Sequence, residues 1–248
     1  FVEDNAWRWA VRDYYVDLDR EIGDLVELAG PDTKVMVVSD HGAKAMHGGV
    51  RINQWLMEEG YLVLNTEIEG VRPSADIVRP FRVEDVDWSM TRAWGEGGYY
   101  GRIFLNVKGR ESLGCILPQD VDATIAELRR RLMEMHDPSG SPMNNVVLRP
   151  EELYPVVNGI APDLMVYFGG LNWRSLGEVG GESVFADSND TGPDDANHAM
   201  EGIVILRDGA LSGRTDLSEV TLVDVAPTIL DWMDVSVPES MQGRIMGE

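Results

Sequence analysis

The chain has 248 residues, of which 44% are hydrophobic and 26% charged, with a mean hydropathy of −0.18; this composition is typical of a folded globular chain, not of a disordered or membrane-embedded one. Its formal net charge of −22 makes nucleic acid and anionic membranes unfavourable general partners, because both are negatively charged. No apolar run approaches the roughly 20 residues of a membrane-spanning helix, and Cys115, the only cysteine, excludes an intrachain disulfide and a Cys-based zinc site.

The first predicted element is an amphipathic helix. Asp4 or Asn5 can cap its start, and it would run to about Leu28, before Gly30-Pro31. Apolar side chains recur along one face at intervals of four and three residues: Val11, Tyr15, Leu18, Ile22 and Leu25. Phe1 is not a translation start and no signal-peptide pattern follows it, so we expect the natural N-terminus, and any targeting signal with it, to lie upstream.

The segment K-V-M-V-V-S-D-H-G, residues 34–42, is the most informative of the chain. Val35 to Val38 is an unbroken apolar run and predicts a strand buried on both faces. Asp40 and His41 follow it directly, at the strand end where open α/β sheets bind ligands. Side by side they are two good metal ligands. The alternative is that Asp40 caps the next segment and His41 is an ordinary loop histidine.

Residues 43–64 contain fewer candidates for a functional role. A short helix begins near Asn53 and ends at Gly60, and a short strand covers Tyr61 to Leu64. His47 lies in the loop before this helix, between Met46 and two glycines. It is either a ligand or substrate contact or, the interpretation we favour, a mobile loop histidine.

From about residue 81 to 160 the pattern predicts an inserted α+β subdomain. Its strands are expected at Thr91–Trp94, Gly101–Val107 and Val146–Leu148, with a helix from Asp120 to about Met135 between the last two. The glycines of E-G-G-Y-Y-G-R do not form a phosphate loop, because no G-K-[ST] follows. Residues 1–80 and 161–248 would then be two segments of one α/β core.

The second core segment contains a long acidic loop, residues 187–202, between predicted strands at Leu164–Phe168 and Ile203–Leu206. The loop does not fit a calcium-binding EF-hand, because His198 stands where the template requires a bidentate Glu. It delivers Asn197 and His198 just before the strand, although His198 alone is equally compatible with a solvated loop residue. Thr221 can cap the last helix, which carries Pro227 in an early turn.

Four motifs together resemble the alkaline phosphatase superfamily, and most closely its type I phosphodiesterase/nucleotide pyrophosphatase branch. They are V-V-S-D-H-G, N-Q-W-L-M-E-E-G-Y-L, D-D-A-N-H-A-M-E-G and D-V-A-P-T-I-L-D-W-M. The resemblance covers nearly the whole chain. It implies an α/β fold with a mostly parallel sheet flanked by helices, and two divalent metal ions at the carboxyl ends of the strands. Oxygen and imidazole ligands without thiolate suit zinc, with manganese as a second possibility.

Carried over residue by residue, the resemblance makes Asp40 and His41 ligands of the metal that activates the nucleophile. His198 matches a ligand of the second metal. The nucleophilic Thr or Ser of the family, and the remaining ligands, precede the matched segment, so we expect them upstream of Phe1. Ser39 is not a replacement, since hydrogen bonding to the backbone is the expected role of a hydroxyl at this strand end.

The implied function is metal-dependent hydrolysis of phosphodiesters or nucleotide pyrophosphates, with a small-molecule phosphate ester as substrate and neither nucleic acid nor membrane as partner. Because the chain is strongly acidic, cations must offset its repulsion of a phosphate. A phosphomutase or sulfatase of the same superfamily is the alternative enzyme, distinguished by its nucleophile. A catalytically silent metal-binding fragment is the alternative outside enzymology.

Overall fold

The structure is a computed structural model that describes residues 7–65, 78–187, 195–207 and 220–247. The chain divides into two compact units. The first unit combines residues 1–42 with residues 200–248, and the second comprises residues 43–199. The division predicted from the sequence, with a core in two segments and an insertion at 81–160, stays a prediction.

Short helices and strands make up both units. The helices are α1 (Ala10–Ala29), α2 (Ile52–Glu58), α3 (Val121–Met133), α4 (Pro150–Leu153) and α5 (Val225–Trp232). The strands are β1 (Val35–Val38), β2 (Gly42–Ala45), β3 (Gly48–Arg51), β4 (Arg79–Pro80), β5 (Ala93–Glu96), β6 (Gly101–Leu105), β7 (Val146–Leu148), β8 (Leu164–Tyr167), β9 (Trp173–Leu176), β10 (Glu178–Val179), β11 (Phe185–Ala186), β12 (Ala196–Ala199) and β13 (Val204–Arg207).

In the first unit, β1 and β13 form a two-stranded antiparallel ribbon, in register from Val35 opposite Arg207 to Val38 opposite Val204. The predicted bounds of β1 are confirmed. Its predicted burial on both faces is wrong, because the strand is half-buried and Val38 is 42% exposed. A strand with a neighbour on one side only is not enclosed in the way that a central parallel strand is.

The amphipathic N-terminal helix is confirmed as α1, although the predicted caps Asp4 and Asn5 lie outside the described residues. None of the helix residues is buried. Four members of its apolar face have more than two fifths of their surface exposed, namely Val11, Tyr15, Leu18 and Leu25. The helical period is therefore correct, while the apolar face does not form part of a core.

The hydrophobic core lies in the second unit, and it runs from Val50 to Val184 in sequence. A four-stranded antiparallel sheet with the order β5-β6-β8-β7 forms its largest layer. Side chains of β6 alternate between buried and half-buried positions, which is typical of an antiparallel sheet with one face on the core. Among its buried side chains, Phe168, Leu128 and Ile103 are less than 2% exposed.

The predicted mostly parallel sheet is not what these residues form. The described strands belong to several small sheets; β3 and β9 pair in parallel, whereas β1–β13, β4–β10, β3–β11 and the neighbours in the β5–β8 sheet pair antiparallel. The fold is thus a mixed α/β arrangement. The predicted strand at residues 164–168 is confirmed as β8, which lies between β6 and β7. The mostly parallel sheet was an expectation from the family resemblance, and burial of short apolar runs is compatible with either strand direction.

Tyr61 to Leu64 was predicted as a strand, and three of its four residues are buried: Tyr61, Leu62 and Leu64. They do not form one; Leu64 makes an isolated bridge to Val86, and the backbone N–H groups of Tyr61 and Leu62 both donate to the carbonyl of Leu56. The segment therefore closes α2 and fills the core as irregular backbone with one isolated bridge.

Candidate active site

The end of β1 is fixed by two hydrogen bonds to the chain just before β13. The backbone N–H of Ser39 donates to the carbonyl of Ile203 over 3.0 Å, and the N–H of Ile203 donates to Ser39 Oγ over 2.9 Å. A Cβ on Gly202 would lie 2.4 Å from the Ser39 carbonyl oxygen, so this close approach requires glycine. The Ser39 hydroxyl is thus engaged with the backbone, the role that we expected for it.

Asp40 and His41 directly follow Ser39, and their side chains lie next to each other. Asp40 Oδ1 lies 3.6 Å from His41 Nε2, and the two side chains are 74% and 42% exposed. His41 Nδ1 lies 2.9 Å from the carbonyl oxygen of Gly42. A proton on Nδ1 would donate to this oxygen and place the lone pair of the neutral ring on Nε2, the nitrogen next to the carboxylate.

The spacing of these two atoms fits a shared metal ion. Two ligands of one tetrahedral zinc ion, each roughly 2.0–2.2 Å from it, are roughly 3.3–3.6 Å apart. Asp40 and His41 therefore suit two positions of one coordination shell. Within the described residues, no group of three or more His, Cys, Asp or Glu side chains is arranged to hold a metal, so this pair stands alone there.

A cavity of about 440 Å³ opens beside Ser39 and Asp40 in the first unit. Glu201, Gly202 and Thr221 line it together with apolar side chains of β1, β13 and the start of α5. Asp40 and Glu201 are both acidic. An anionic phosphate would therefore meet repulsion here unless cations offset it.

The far wall of this cavity is held by a capping interaction. Asp224 accepts from the backbone N–H of Thr221 (2.8 Å), from the Thr221 hydroxyl (2.9 Å) and from the backbone N–H of Arg244 (2.8 Å). Burial favours the neutral acid, but the hydrogen bonds from Arg244 and Thr221 outweigh it and hold the pKa of Asp224 below its ordinary value. Thr221 caps the 3₁₀ turn Leu222–Asp224 that leads into α5, and Asp224 stands at the N-cap position of α5 itself. The prediction that Thr221 caps the last helix is therefore wrong by one turn.

His198 belongs to the second unit, where β12 carries it next to Asn197. The Asn197 amide is buried, and its Oδ1 accepts the backbone N–H of His198 over 3.0 Å. The ring of His198 rests against Tyr99, with centroids 3.6 Å apart, and the Arg174 guanidinium lies 4.9 Å from the same tyrosine ring. The imidazole is therefore placed by its neighbours and is not a freely solvated loop residue.

The other two histidines are placed differently. His47 is exposed, and its ring packs edge-on against Trp173 with centroids 6.1 Å apart. Its backbone N–H donates to the carbonyl of Asn172. His136 is exposed. Neither residue joins a metal-binding group among the described residues.

Three residues next to Ser39 and His198 were given no role by sequence reasoning. Gly202 permits the close approach to Ser39, Tyr99 contacts the His198 ring, and Asn197 binds its backbone. The pattern next to His198 included Asn197, but only the structure gives its contacts. Tyr99 is about a hundred residues away in sequence, so no local signal connects it with His198.

A family model named type I phosphodiesterase / nucleotide pyrophosphatase matches residues 4–198. The chain belongs to this family. The matched range, well over half of the chain, includes Asp40, His41 and His198, and it confirms the resemblance that the motifs carried. No curated protein and no solved structure gives a significant match.

Membership supports the hydrolysis of phosphate esters as the general activity of this family member, with small-molecule phosphate esters as substrates. The family is generally metal-dependent. Among the described helices, none combines the length and the apolar character that crossing a bilayer requires.

Proposed function

We propose that this family member hydrolyses phosphodiesters or nucleotide pyrophosphates in a metal-dependent reaction. Asp40 and His41 would hold one divalent ion, and His198 would be a ligand of a second. The observation that carries the proposal is the 3.6 Å spacing of Asp40 Oδ1 and His41 Nε2 at the end of β1, in a chain whose family acts on phosphate esters.

Zinc or manganese, when bound, would supply charge neutralisation for the phosphoryl oxygens and lower the pKa of the attacking group. The chain contributes the placement of the ligands. Ser39 fixes the corner through Ile203, and the Gly42 carbonyl oxygen lies within hydrogen-bonding distance of His41 Nδ1. These contacts fix the backbone before Asp40 and place the ring of His41, which reduces the cost of ordering this part of the site on binding, whereas the Asp40 side chain is 74% exposed.

The nucleophile in this proposal is a Thr or Ser N-terminal to Phe1. Its oxygen would attack phosphorus and expel the leaving group, and water would then hydrolyse the phospho-enzyme and regenerate the free hydroxyl. An upstream Ser that returns the phosphoryl group to a substrate would instead give a mutase, and a residue converted to formylglycine a sulfatase.

A second candidate is a metal-binding unit without turnover. One observation favours it: the described residues bring together two ligand side chains at the first corner and no group of three. Under this alternative the chain would bind zinc and leave phosphate esters intact.

The test is hydrolysis of bis-p-nitrophenyl phosphate by the full chain with added zinc or manganese and an EDTA control. We expect metal-dependent turnover wherever a nucleophile is present, including one on an associated N-terminal fragment. Asp40→Asn, His41→Ala and His198→Ala should each lower zinc affinity and turnover at least tenfold, because each removes a direct ligand. His136→Ala is the matched control, since that histidine is exposed and has no assigned role.

The outcomes separate the candidates. Tight zinc binding that depends on Asp40 and His41, without turnover even when an N-terminal segment with the Thr or Ser nucleophile is supplied, would support the silent metal-binding unit. Zinc affinity that none of the three substitutions changes would refute the metal assignment in both versions.

A further inference from the structure

The Asn197 side chain bonds to the backbone of His198 and to that of two of its neighbours. Its Nδ2 donates to the carbonyl of Leu171 over 2.9 Å and to the carbonyl of Tyr99 over 3.4 Å, while its Oδ1 accepts the N–H of His198 over 3.0 Å. The ring of Tyr99 in turn contacts the His198 ring. We infer that Asn197 is a positioning residue for His198; the inference rests on the proposed role of that histidine as a ligand.

The chemistry of this position requires an amide. Asn197 is 3% exposed, so its polar atoms cannot exchange these partners for bulk water. It must donate to two carbonyl oxygens and accept from one N–H, which is what an amide can do and a carboxylate cannot. Alanine would leave the buried partners without their bonds, and aspartate would place a second acceptor against the Leu171 carbonyl.

Asn197 acts on the His198 imidazole through the Tyr99 ring. The centroids of the two rings are 3.6 Å apart with an interplanar angle of 43°, so Tyr99 limits the rotation of the His198 side chain. Because the Tyr99 carbonyl also accepts from Asn197, one amide holds both the backbone of the histidine and the residue against which its ring lies.

The Leu171 carbonyl is presented by an unusual turn. Gly169, Gly170 and Leu171 have φ angles of 56°, 59° and 73°, in the left-handed region, which a leucine rarely adopts. The surrounding structure holds this turn: Asn145 Oδ1 accepts from the N–H of Gly169, and Lys44 Nζ donates to the carbonyl of Gly170. Strained backbone that is anchored in this way is often found where a functional group must be oriented.

The test compares Asn197→Ala and Asn197→Asp with the matched control Asn53→Ala in the full chain. Asn53 is also a buried amide: its Nδ2 donates to the Gly95 carbonyl, and its Oδ1 accepts from the Gly95 N–H. The first readout is the NMR shift of the His198 ring protons in the metal-free protein, which the nearby Tyr99 ring displaces. The second readout is zinc affinity, measured by competition with a chelator.

We expect Asn197→Ala to move the His198 ring-proton shifts toward those of an exposed histidine. Zinc affinity at this histidine should fall about 10- to 100-fold, the usual effect of losing a group that orients a ligand. Asn53→Ala should lower the melting temperature and leave the His198 shifts in place. Asn197→Asp should move the His198 shifts in the same direction, because a carboxylate cannot donate to the Leu171 and Tyr99 carbonyls, and it provides the test if Asn197→Ala does not fold.

Unchanged His198 shifts and unchanged zinc affinity in a folded Asn197→Ala or Asn197→Asp protein would overturn the inference. Failure of the proposed function has a different signature. In that case wild-type His198 would show no zinc dependence at all, while its ring-proton shifts would still respond to Asn197→Ala.

Discussion

At the scale of single residues, the corner at Ser39 depends on a glycine. Gly202 lies so close that a Cβ would fall 2.4 Å from the Ser39 carbonyl oxygen and 2.9 Å from its Oγ. The Ser39 hydroxyl is engaged by the N–H of the next residue, Ile203. One missing side chain therefore lets two chain segments meet beside Asp40 and His41.

We expect Gly202→Ala to lower the free energy of unfolding by about 1–3 kcal/mol, because the backbone must shift to admit the methyl group. Zinc affinity should fall with it, since Ser39 immediately precedes the proposed ligands. Urea unfolding and a zinc titration measure the two effects.

Gly23→Ala is the control for this substitution. Gly23 lies within α1 with nothing within 4 Å of an added Cβ, so alanine should stabilise the helix by up to about 1 kcal/mol and leave zinc affinity unchanged. A Gly202→Ala protein with wild-type stability and zinc affinity would show that the corner tolerates the shift.

At this scale, sequence reasoning proposed Asp40 and His41 as ligands, which stays a prediction, and it did not find the residues that support them. Asp40 and His41 could be proposed because two ligand types directly follow a predicted strand. The contribution of Gly202 depends on how closely β1 approaches the chain before β13, a long-range pairing that local pattern does not encode. The same reason explains why Tyr99 was not connected with His198.

At the scale of elements, the start of α5 is tied to the C-terminal segment through Asp224. Its carboxylate accepts from Thr221 and Arg244, and the backbone carbonyl of the same residue accepts from the Thr228 hydroxyl over 2.7 Å. Thr228 Oγ1 then accepts from the N–H of Met246. One acidic side chain and one hydroxyl thus fasten the helix and the following segment together.

Asp224→Asn should lower the free energy of unfolding at pH 7 by about 1–2 kcal/mol, through loss of the cap and of an acceptor. The wild-type advantage should depend on pH. Because folding lowers the pKa of Asp224, its contribution is complete above the pKa of an unfolded Asp and is lost as the pH falls through the folded value. Urea unfolding from pH 7 to pH 3 measures this difference.

Asp231→Asn is the control, since Asp231 is an exposed residue of the same helix. Its substitution should change stability little at any pH. A constant difference between wild type and Asp224→Asn across the acid range would contradict the ionised role of Asp224.

Elements were predicted better than their pairing. Five elements lie at or within a few residues of the expected positions: the helices α1 and α3 and the strands β1, β7 and β8. The spacing of apolar residues and the Gly and Pro residues that end an element are local signals, which is why these positions could be predicted. The strands β2, β3 and β9 were missed, since G-A-K-A and G-G-V-R carry no apolar run. β3 is nevertheless buried: its glycines allow Trp173 and Leu176 to pack where a Cβ would collide.

At the scale of the whole molecule, charge is the dominant feature. The chain carries 43 acidic and 21 basic residues, so repulsion between like charges opposes the folded state. Many arginines are already in ion pairs; Arg110 bonds to Asp163 and Glu111, and these contacts raise its pKa. Such pairs reduce the repulsion locally and leave the net excess in place.

We therefore expect the melting temperature to rise by several degrees between about 0.05 M and about 0.5 M sodium chloride, because salt screens the excess negative charge. Differential scanning fluorimetry measures the effect, and potassium chloride tests whether it is specific to sodium. A melting temperature that falls with either salt would mean that attraction within the ion pairs outweighs the net repulsion.

The turn at Gly169, Gly170 and Leu171 has a consequence for how this protein can diverge. An added Cβ at Gly169 would lie 2.8 Å from a carbon of Trp173, whereas at Gly170 it would meet open space. Both positions need a left-handed backbone, which asparagine accepts more readily than other residues with a side chain. We therefore expect the turn to accept asparagine at position 170 at little cost, whereas any side chain at position 169 requires Trp173 to shift or to become smaller.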